Sequence, residues 1–250
     1  MMMVVATLVM VAFFIAKLAR GNVDKPGPDG CVGEPVASTV IVLDQSEVVS
    51  EQTTNEIVAR ALAYIQNRVS TNERVSVFKI SDISRTALHP SFSRCKPRQD
   101  GNRLVEGTKG MKKGFERDFL QPLQAALSTP PTNGKESPIA QALIDVSLSH
   151  YLRGERSSLL VFSDLMEHTP SKFSLYPCTD SSSVIAHFRD SRKGAQERPK
   201  FTNTSVYLHV IPRMDLPRPS LQCRDKLWLW FFGDNEGSGA KAEFDYLPGA

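Results

Sequence analysis

The sequence contains no Gly-Xaa-Ser-Xaa-Gly elbow, no Walker-type phosphate loop and no glycine-rich dinucleotide turn. These absences leave α/β-hydrolase, P-loop nucleotide and Rossmann cofactor chemistry without a motif behind them. Histidine is sparse: His89, His150, His168, His187 and His209 stand at no metal-ligand spacing, and only His168 lies near another candidate site residue. His209 alternates within an apolar run, where packing is the ordinary role. The four cysteines form no Cys-Xaa-Xaa-Cys and no Cys/His pattern that would suit zinc. Net charge is only +3, and Lys17 and Arg20 beside an N-terminal apolar run supply two of those charges, so there is no nucleic-acid footprint. No low-complexity tract and no repeat at solenoid or propeller periods is present.

What is there is an ordinary globular composition, 41% hydrophobic and 23% charged over 250 residues. That length accommodates one α/β domain with a substantial core and appended loops, and two full domains would be a squeeze. Met1 to Ala16 is apolar except for Thr7. As a helix it is about 24 Å long against about 30 Å of hydrocarbon, short for a span but workable with Leu18 and Ala19. A cleaved signal peptide wants a basic start and small residues at −3 and −1 of the cut; no Lys or Arg precedes the run, and Lys17 spoils the pattern ending at Ala19. Residues 1–20 therefore read as an uncleaved membrane anchor. Residues 21–35, with three prolines and four glycines, read as a linker, and 36–250 as the domain.

Orientation draws on two opposed signals. Basic residues flanking the anchor favour a cytoplasmic domain. Cys31, Cys95, Cys178 and Cys223, even in number and widely spaced, favour an oxidising, exported compartment, periplasmic or extracellular. The cysteines are given the greater weight, with the cytoplasmic face as the alternative.

Along the domain, Thr39–Leu43 and Ser158–Ser163 are continuous apolar runs of the kind central strands buried on both faces carry. Arg74–Ile80 alternates and reads as a second strand, and Ser205–Ile211 as the last. Ser84 to Phe92 reads as a strand returning antiparallel, held to an edge by Pro90. Helical spacing of Ile57, Val58, Ala61, Leu62, Ile65 and Val69 predicts a helix, with Thr53 and Glu56 as its capping box. Ser93 to Lys113 reads as a surface loop. Phe115 to Leu127 reads as a helix kinked at Pro122. A further helix opens with Ser137 as N-cap and Pro138 as its first residue and runs to Gly154. Helices are also predicted over Ser182–Phe188 and Leu221–Phe232. Strands alternating with helices specify a doubly wound, mostly parallel α/β sheet, whose ligand site lies beyond the strands' carboxyl ends at the switch point.

Two buried strands end in aspartate, Asp44 and Asp164. Asp44-Gln45-Ser46-Glu47-Val48 after the first strand, Ser137 at a helix start, and Asp164 closing Leu-Leu-Val-Phe-Ser-Asp resemble the metal-ion-dependent adhesion site of the von Willebrand factor A (vWA) family. That family places Asp-Xaa-Ser-Xaa-Ser after the first strand, a Thr before a main helix and an Asp after the fourth strand. The resemblance covers roughly Val36 to Ile211. It implies a non-enzymatic, protein-binding domain in which Asp44, Ser46, Ser137 and Asp164 hold Mg²⁺ or Mn²⁺ while an acidic side chain of the partner completes the shell. Mg²⁺ keeps several waters, so one or two carboxylates plus hydroxyls suffice.

The sequence departs from the pattern at Val48, where the second serine is expected, and Ser137 replaces the threonine. A metal-free scaffold that binds through its loops is therefore the second reading. A Mg²⁺-dependent hydrolase or phosphotransferase with Asp44 as nucleophile is the third, although haloacid-dehalogenase-like enzymes want a second Asp where Ser46 stands. Trp228, Trp230, Phe231 and Phe232 read as helix-to-sheet core rather than as a partner patch.

Topology orders the cysteines. Cys31 precedes the first strand and Cys95 follows the returning one, at the edge opposite the site. Cys178 and Cys223 follow the fourth and fifth strands at the site edge. Since a bridge needs Cα atoms within about 7 Å, Cys31–Cys95 and Cys178–Cys223 are the pairs expected in an exported domain.

Overall fold

The computed structural model describes residues 26–80, 88–99, 108–130, 134–152, 156–201, 203–233 and 241–248. The anchor expectation falls on residues outside these, and among the described residues no helix is long and apolar enough to cross a membrane.

β1 (Ser38–Leu43) is buried at every position and lies between two parallel neighbours, β2 (Arg74–Lys79) and β4 (Ser157–Ser163). β3 (Phe92–Cys95) pairs antiparallel with β2. A short hairpin of β5 (His168–Thr169) and β6 (Phe173–Ser174) stands apart as a second sheet. β7 (Thr204–Val210) runs parallel to β4, and β8 (Lys241–Tyr246) parallel to β7. The order β3-β2-β1-β4-β7-β8 reverses its winding between β1 and β4, which makes the crevice outside their carboxyl ends the switch point.

Alternate side chains of each central strand feed two cores. On one face Val40, Val42, Leu159, Val161, Val206 and Leu208 pack with α4 (Ile139–Leu148), α5 (Val184–Arg192) and α6 (Arg218–Phe232). On the other, Ile41, Leu43, Val75, Val77, Leu160 and Phe162 pack with α1 (Glu51–Arg68), α2 (Thr108–Phe115) and α3 (Gln121–Leu127). Each such buried side chain stabilises the fold by about 1.5–3 kcal/mol relative to exposure. Trp228, Phe231 and Phe232 are buried in the first core, with the Trp228 indole N–H donating to Leu165 O at 2.7 Å. His209 stacks on Phe162, the packed role its alternation suggests.

Several local expectations are corrected. α1 starts earlier than its pattern suggested: Ser50 is the N-cap, its Oγ accepting from Thr53 N–H at 3.1 Å, while Glu56 pairs with Arg60 one turn on. At the other end of α1, the buried Lys96 ammonium donates to Ile65 O and Val69 O, both at 2.8 Å, satisfying carbonyls the helix leaves open. The returning strand lies at Phe92–Cys95, so it begins where the expected strand ends and takes Ser93–Cys95 from the segment expected to be loop, and helix begins again at Thr108. Where a kink at Pro122 was expected, the helix passes through a π-helical turn, Glu116–Leu120, in which Gln121 N–H reaches back to Glu116 O. That wider bonding absorbs the donor proline lacks and the clash its ring would cause. α4 ends at Leu148, short of Gly154, which lies outside the described residues. β8 and the β5–β6 hairpin were not anticipated.

Both expected disulfides are present, Cys31–Cys95 with Cα atoms 4.8 Å apart and Cys178–Cys223 at 6.4 Å. Two disulfides suit an oxidising, exported compartment. Over its described part the glycine- and proline-rich segment is a clamped strap: Asp29 pairs with Arg74, and Asn72 exchanges hydrogen bonds with Val32.

Candidate functional site

At the carboxyl end of β1 the ladder continues one residue further, Asp44 N–H donating to Phe162 O at 2.9 Å, so the Asp44 side chain is fixed at the switch point. Its carboxylate gathers three hydroxyls. Oδ1 accepts from Ser46 N–H at 3.1 Å and Ser46 Oγ at 2.7 Å. Oδ2 accepts from Ser137 Oγ at 3.0 Å and from Ser163 Oγ at 2.7 Å. Three of the four candidate residues thus meet directly, joined by Ser163, the last residue of β4.

Ser137 reaches Asp44 because its backbone is clamped to His168: Ser137 N–H donates to His168 O at 2.7 Å, and His168 N–H returns the bond at 3.0 Å. Its hydroxyl is consequently not the N-cap of α4, and Pro138, not Ser137, occupies that position. The open donor at the start of α4 is met instead by Glu167, whose Oε2 accepts from Ala140 N–H at 2.7 Å. Full burial pushes the Glu167 carboxyl up to about 8, against the downward pull of that hydrogen bond. His168 itself holds Ser174 Oγ through Nδ1, at 2.9 Å.

Asp164, the fourth candidate, faces a different partner. Its Oδ1 accepts from Met166 N–H at 2.9 Å, and its Oδ2 accepts from Arg213 Nη1 at 2.6 Å. Arg213 lies just beyond β7. Its Nε and Nη2 grip the two oxygens of Asp215, each at 2.8 Å, and Nη1 also donates to Glu47. Tyr176 completes the network by donating to Glu47 Oε1 at 2.6 Å. Burial, with the nearby Asp44 charge second, raises the Asp164 carboxyl to about 6, while Met166 N–H and Arg213 pull it down. The turn after Asp164 passes through Leu165 at φ 60°, a left-handed conformation a bulky residue adopts only when its surroundings enforce it. Here Ser163 Oγ takes the Leu165 N–H at 2.8 Å, and the side chain is buried.

Asp44, Ser46, Glu47, Val48, Asp164, Arg213 and Asp215 line a cleft of about 300 Å³ at this edge. Val48 is 69% exposed at its rim, and Met214, between Arg213 and Asp215, is 89% exposed. The donor set as arranged does not fit Mg²⁺ or Mn²⁺. Asp44 accepts four hydrogen bonds, two of them from the hydroxyls of Ser46 and Ser137, so the misfit lies at the other two positions. The outer oxygen of Asp164 carries a guanidinium, and the position of the second hydroxyl ligand is a valine.

No protein-family profile and no curated protein sequence matches this chain. Among solved structures, human COPII-coat protein Sec24c is similar with a TM-score of 0.41 at 9% sequence identity. The match covers 90% of this chain and 31% of that one, so this chain spans about a third of that protein's length. A likeness this distant carries no argument about function.

Five members of the network were not among the sequence candidates: Ser163, Glu47, Tyr176, Arg213 and Asp215. Ser163 directly precedes Asp164, and Glu47 sits inside the aspartate motif, so both were within reach of a closer reading of strand ends. Arg213 and Tyr176 come from loops with no local signature.

Proposed function

We propose that this chain is a membrane-tethered, vWA-like domain that binds a protein partner at the Asp44–Ser46–Ser137–Asp164 edge, without catalysis and without a bound metal. One observation carries the reading: an exposed apolar side chain, Val48, lines a charged cleft at the switch-point crevice, and a second, Met214, stands exposed in the chain between two of its lining residues, Arg213 and Asp215. Exposed apolar groups around fixed polar groups are what a binding surface offers. The Arg213 guanidinium supports metal independence, because it supplies positive charge at the carboxylate a divalent cation would need.

Photocrosslinking tests the proposal. A diazirine side chain at position 48 or 214 of the full chain should give a discrete crosslinked protein in native membranes. The same group at Leu148, exposed at the far end of α4, should give none. Equal crosslinking at all three positions would sink the assignment of this edge.

A further inference from the structure

We propose that the base of the domain, at the amino ends of the strands, rests on an anionic lipid surface; this deepens the tethered reading above and depends on it. The base is defined by register. Ser38, Arg74, Ser157 and Thr204 begin the parallel strands side by side, and Cys95 ends β3 opposite Arg74. The strap is fastened at this level by Cys31–Cys95, by Asp29–Arg74 at 2.8 Å, and by Cys95 N–H donating to Asp29 O at 3.0 Å. The described chain therefore starts, at Pro26, on the base, immediately after the sequence that carries the apolar run. The candidate cleft lies at the other end of strands of six or seven residues, about 20 Å away.

The same face is cationic. Arg94 and Arg98 are exposed beside the strap, and α2, which reaches the same level, presents Lys109, Lys112 and Lys113 on the side turned away from Met111 and Phe115. Its exposed carboxylates are fewer: Glu34 on the strap, Glu116, and Asp118, which lines the cleft described next and is gripped by Arg117 at 2.6 Å; Asp29 is held by Arg74. Between strap and α2 lies a cleft of about 440 Å³ with Pro26, Pro28, Pro97, Met111 and Phe115 among its lining and Arg94 and Arg98 on its walls. Cations around an apolar recess, at the point where a tether would hold them within a Debye length of a bilayer, match anionic headgroups above acyl chains. A tethered face needs no high intrinsic affinity, because the anchor supplies the effective concentration. Nucleic acid is the other polyanion; a tethered face meets the bilayer at far higher effective concentration.

The test uses the full chain in nanodiscs of phosphatidylcholine with or without 30% phosphatidylglycerol, read by amine acetylation and mass spectrometry. Lys109, Lys112 and Lys113 should react at least about threefold more slowly in the anionic discs, and recover in 1 M salt, as screening requires. Lys172, in the β5–β6 hairpin, should not change. Equal reactivity in both discs overturns the proposal. So does equal protection by homopolymeric RNA added to neutral discs, which would make the face a nucleic-acid site. The tether is read separately, by co-elution with neutral discs. If that fails, co-elution with anionic discs alone still sustains the basic face, and co-elution with neither overturns it.

Discussion

Arg213 donates to Asp164 Oδ2 at 2.6 Å, setting a guanidinium against the carboxylate that the adhesion-site pattern assigns to a divalent cation. Both side chains are largely buried, at 15% and 11% exposure. Such a pair is worth little against an apolar replacement, but breaking it strands a buried charge. Arg213→Ala should lower stability by about 3–5 kcal/mol in urea denaturation. Arg213→Lys should recover part of that, since it keeps the charge and loses the fork that holds Asp215. Mg²⁺ should raise the midpoint of Arg213→Ala, where Asp164 is freed, and leave wild type unchanged. A response of wild type to Mg²⁺ would contradict the cation's assignment to Arg213.

Glu167 sets a pH dependence. Its folded-state carboxyl titrates near 8, well above the ordinary 4.5 of an unfolded glutamate. The native state thus keeps a proton that the unfolded chain has lost, and stability drains away as pH rises from about 4.5 to about 8. Glu167→Gln keeps an acceptor for Ala140 N–H and removes the titration. The variant's stability relative to wild type should rise by about 3 kcal/mol between pH 5 and pH 8. The raised Asp164 is present in both proteins and cancels in the difference. Parallel stability curves would refute the role given to Glu167.

Lys96 caps α1 from the end of β3, at a site where burial lowers its own pKa. Lys96→Met fills a similar volume and leaves the carbonyls of Ile65, Gln66 and Val69 without this donor. A loss of about 1–3 kcal/mol is expected, with faster amide exchange confined to the last turn of α1. Unchanged exchange there would show that the carbonyls find other partners.

The disulfides give a chemical prediction. Non-reducing peptide mapping of native protein should recover Cys31–Cys95 and Cys178–Cys223 and no free thiol. The closed segments span 64 and 45 residues, so chain entropy assigns each bond about 4 kcal/mol. Cys31→Ser with Cys95→Ser should cost that much and also loosen the strap.

The parts of this fold written in continuous apolar runs were legible: β1 and β4 announce themselves, and Asp44 and Asp164 end them. β8 was not, because Ala242 and Phe244 alternating with Glu243 and Asp245 offer a single large apolar side chain. The cap of α1 was misplaced because Ser50, Thr53 and Glu56 all suit a helix start, and only the backbone decides between them. Ser137 was the residue whose two sequence readings competed, cap or site, and the His168 bridge resolved them by turning its hydroxyl to Asp44. Arg213 was illegible for a different reason. Its importance lies in meeting Asp164 and Glu47 from positions 49 and 166 residues away, which no local pattern encodes.

The most direct measurement is the affinity of the crosslinked partner for the full chain, compared with Val48→Glu and Met214→Glu, with and without EDTA. Both substitutions lie on exposed side chains and should leave the melting temperature within a degree or two. The account predicts at least about a tenfold loss of affinity for each, about 1.4 kcal/mol, and identical wild-type affinity in the chelator. Full-strength binding by both variants, or binding abolished by EDTA, would contradict a metal-independent contact at this edge.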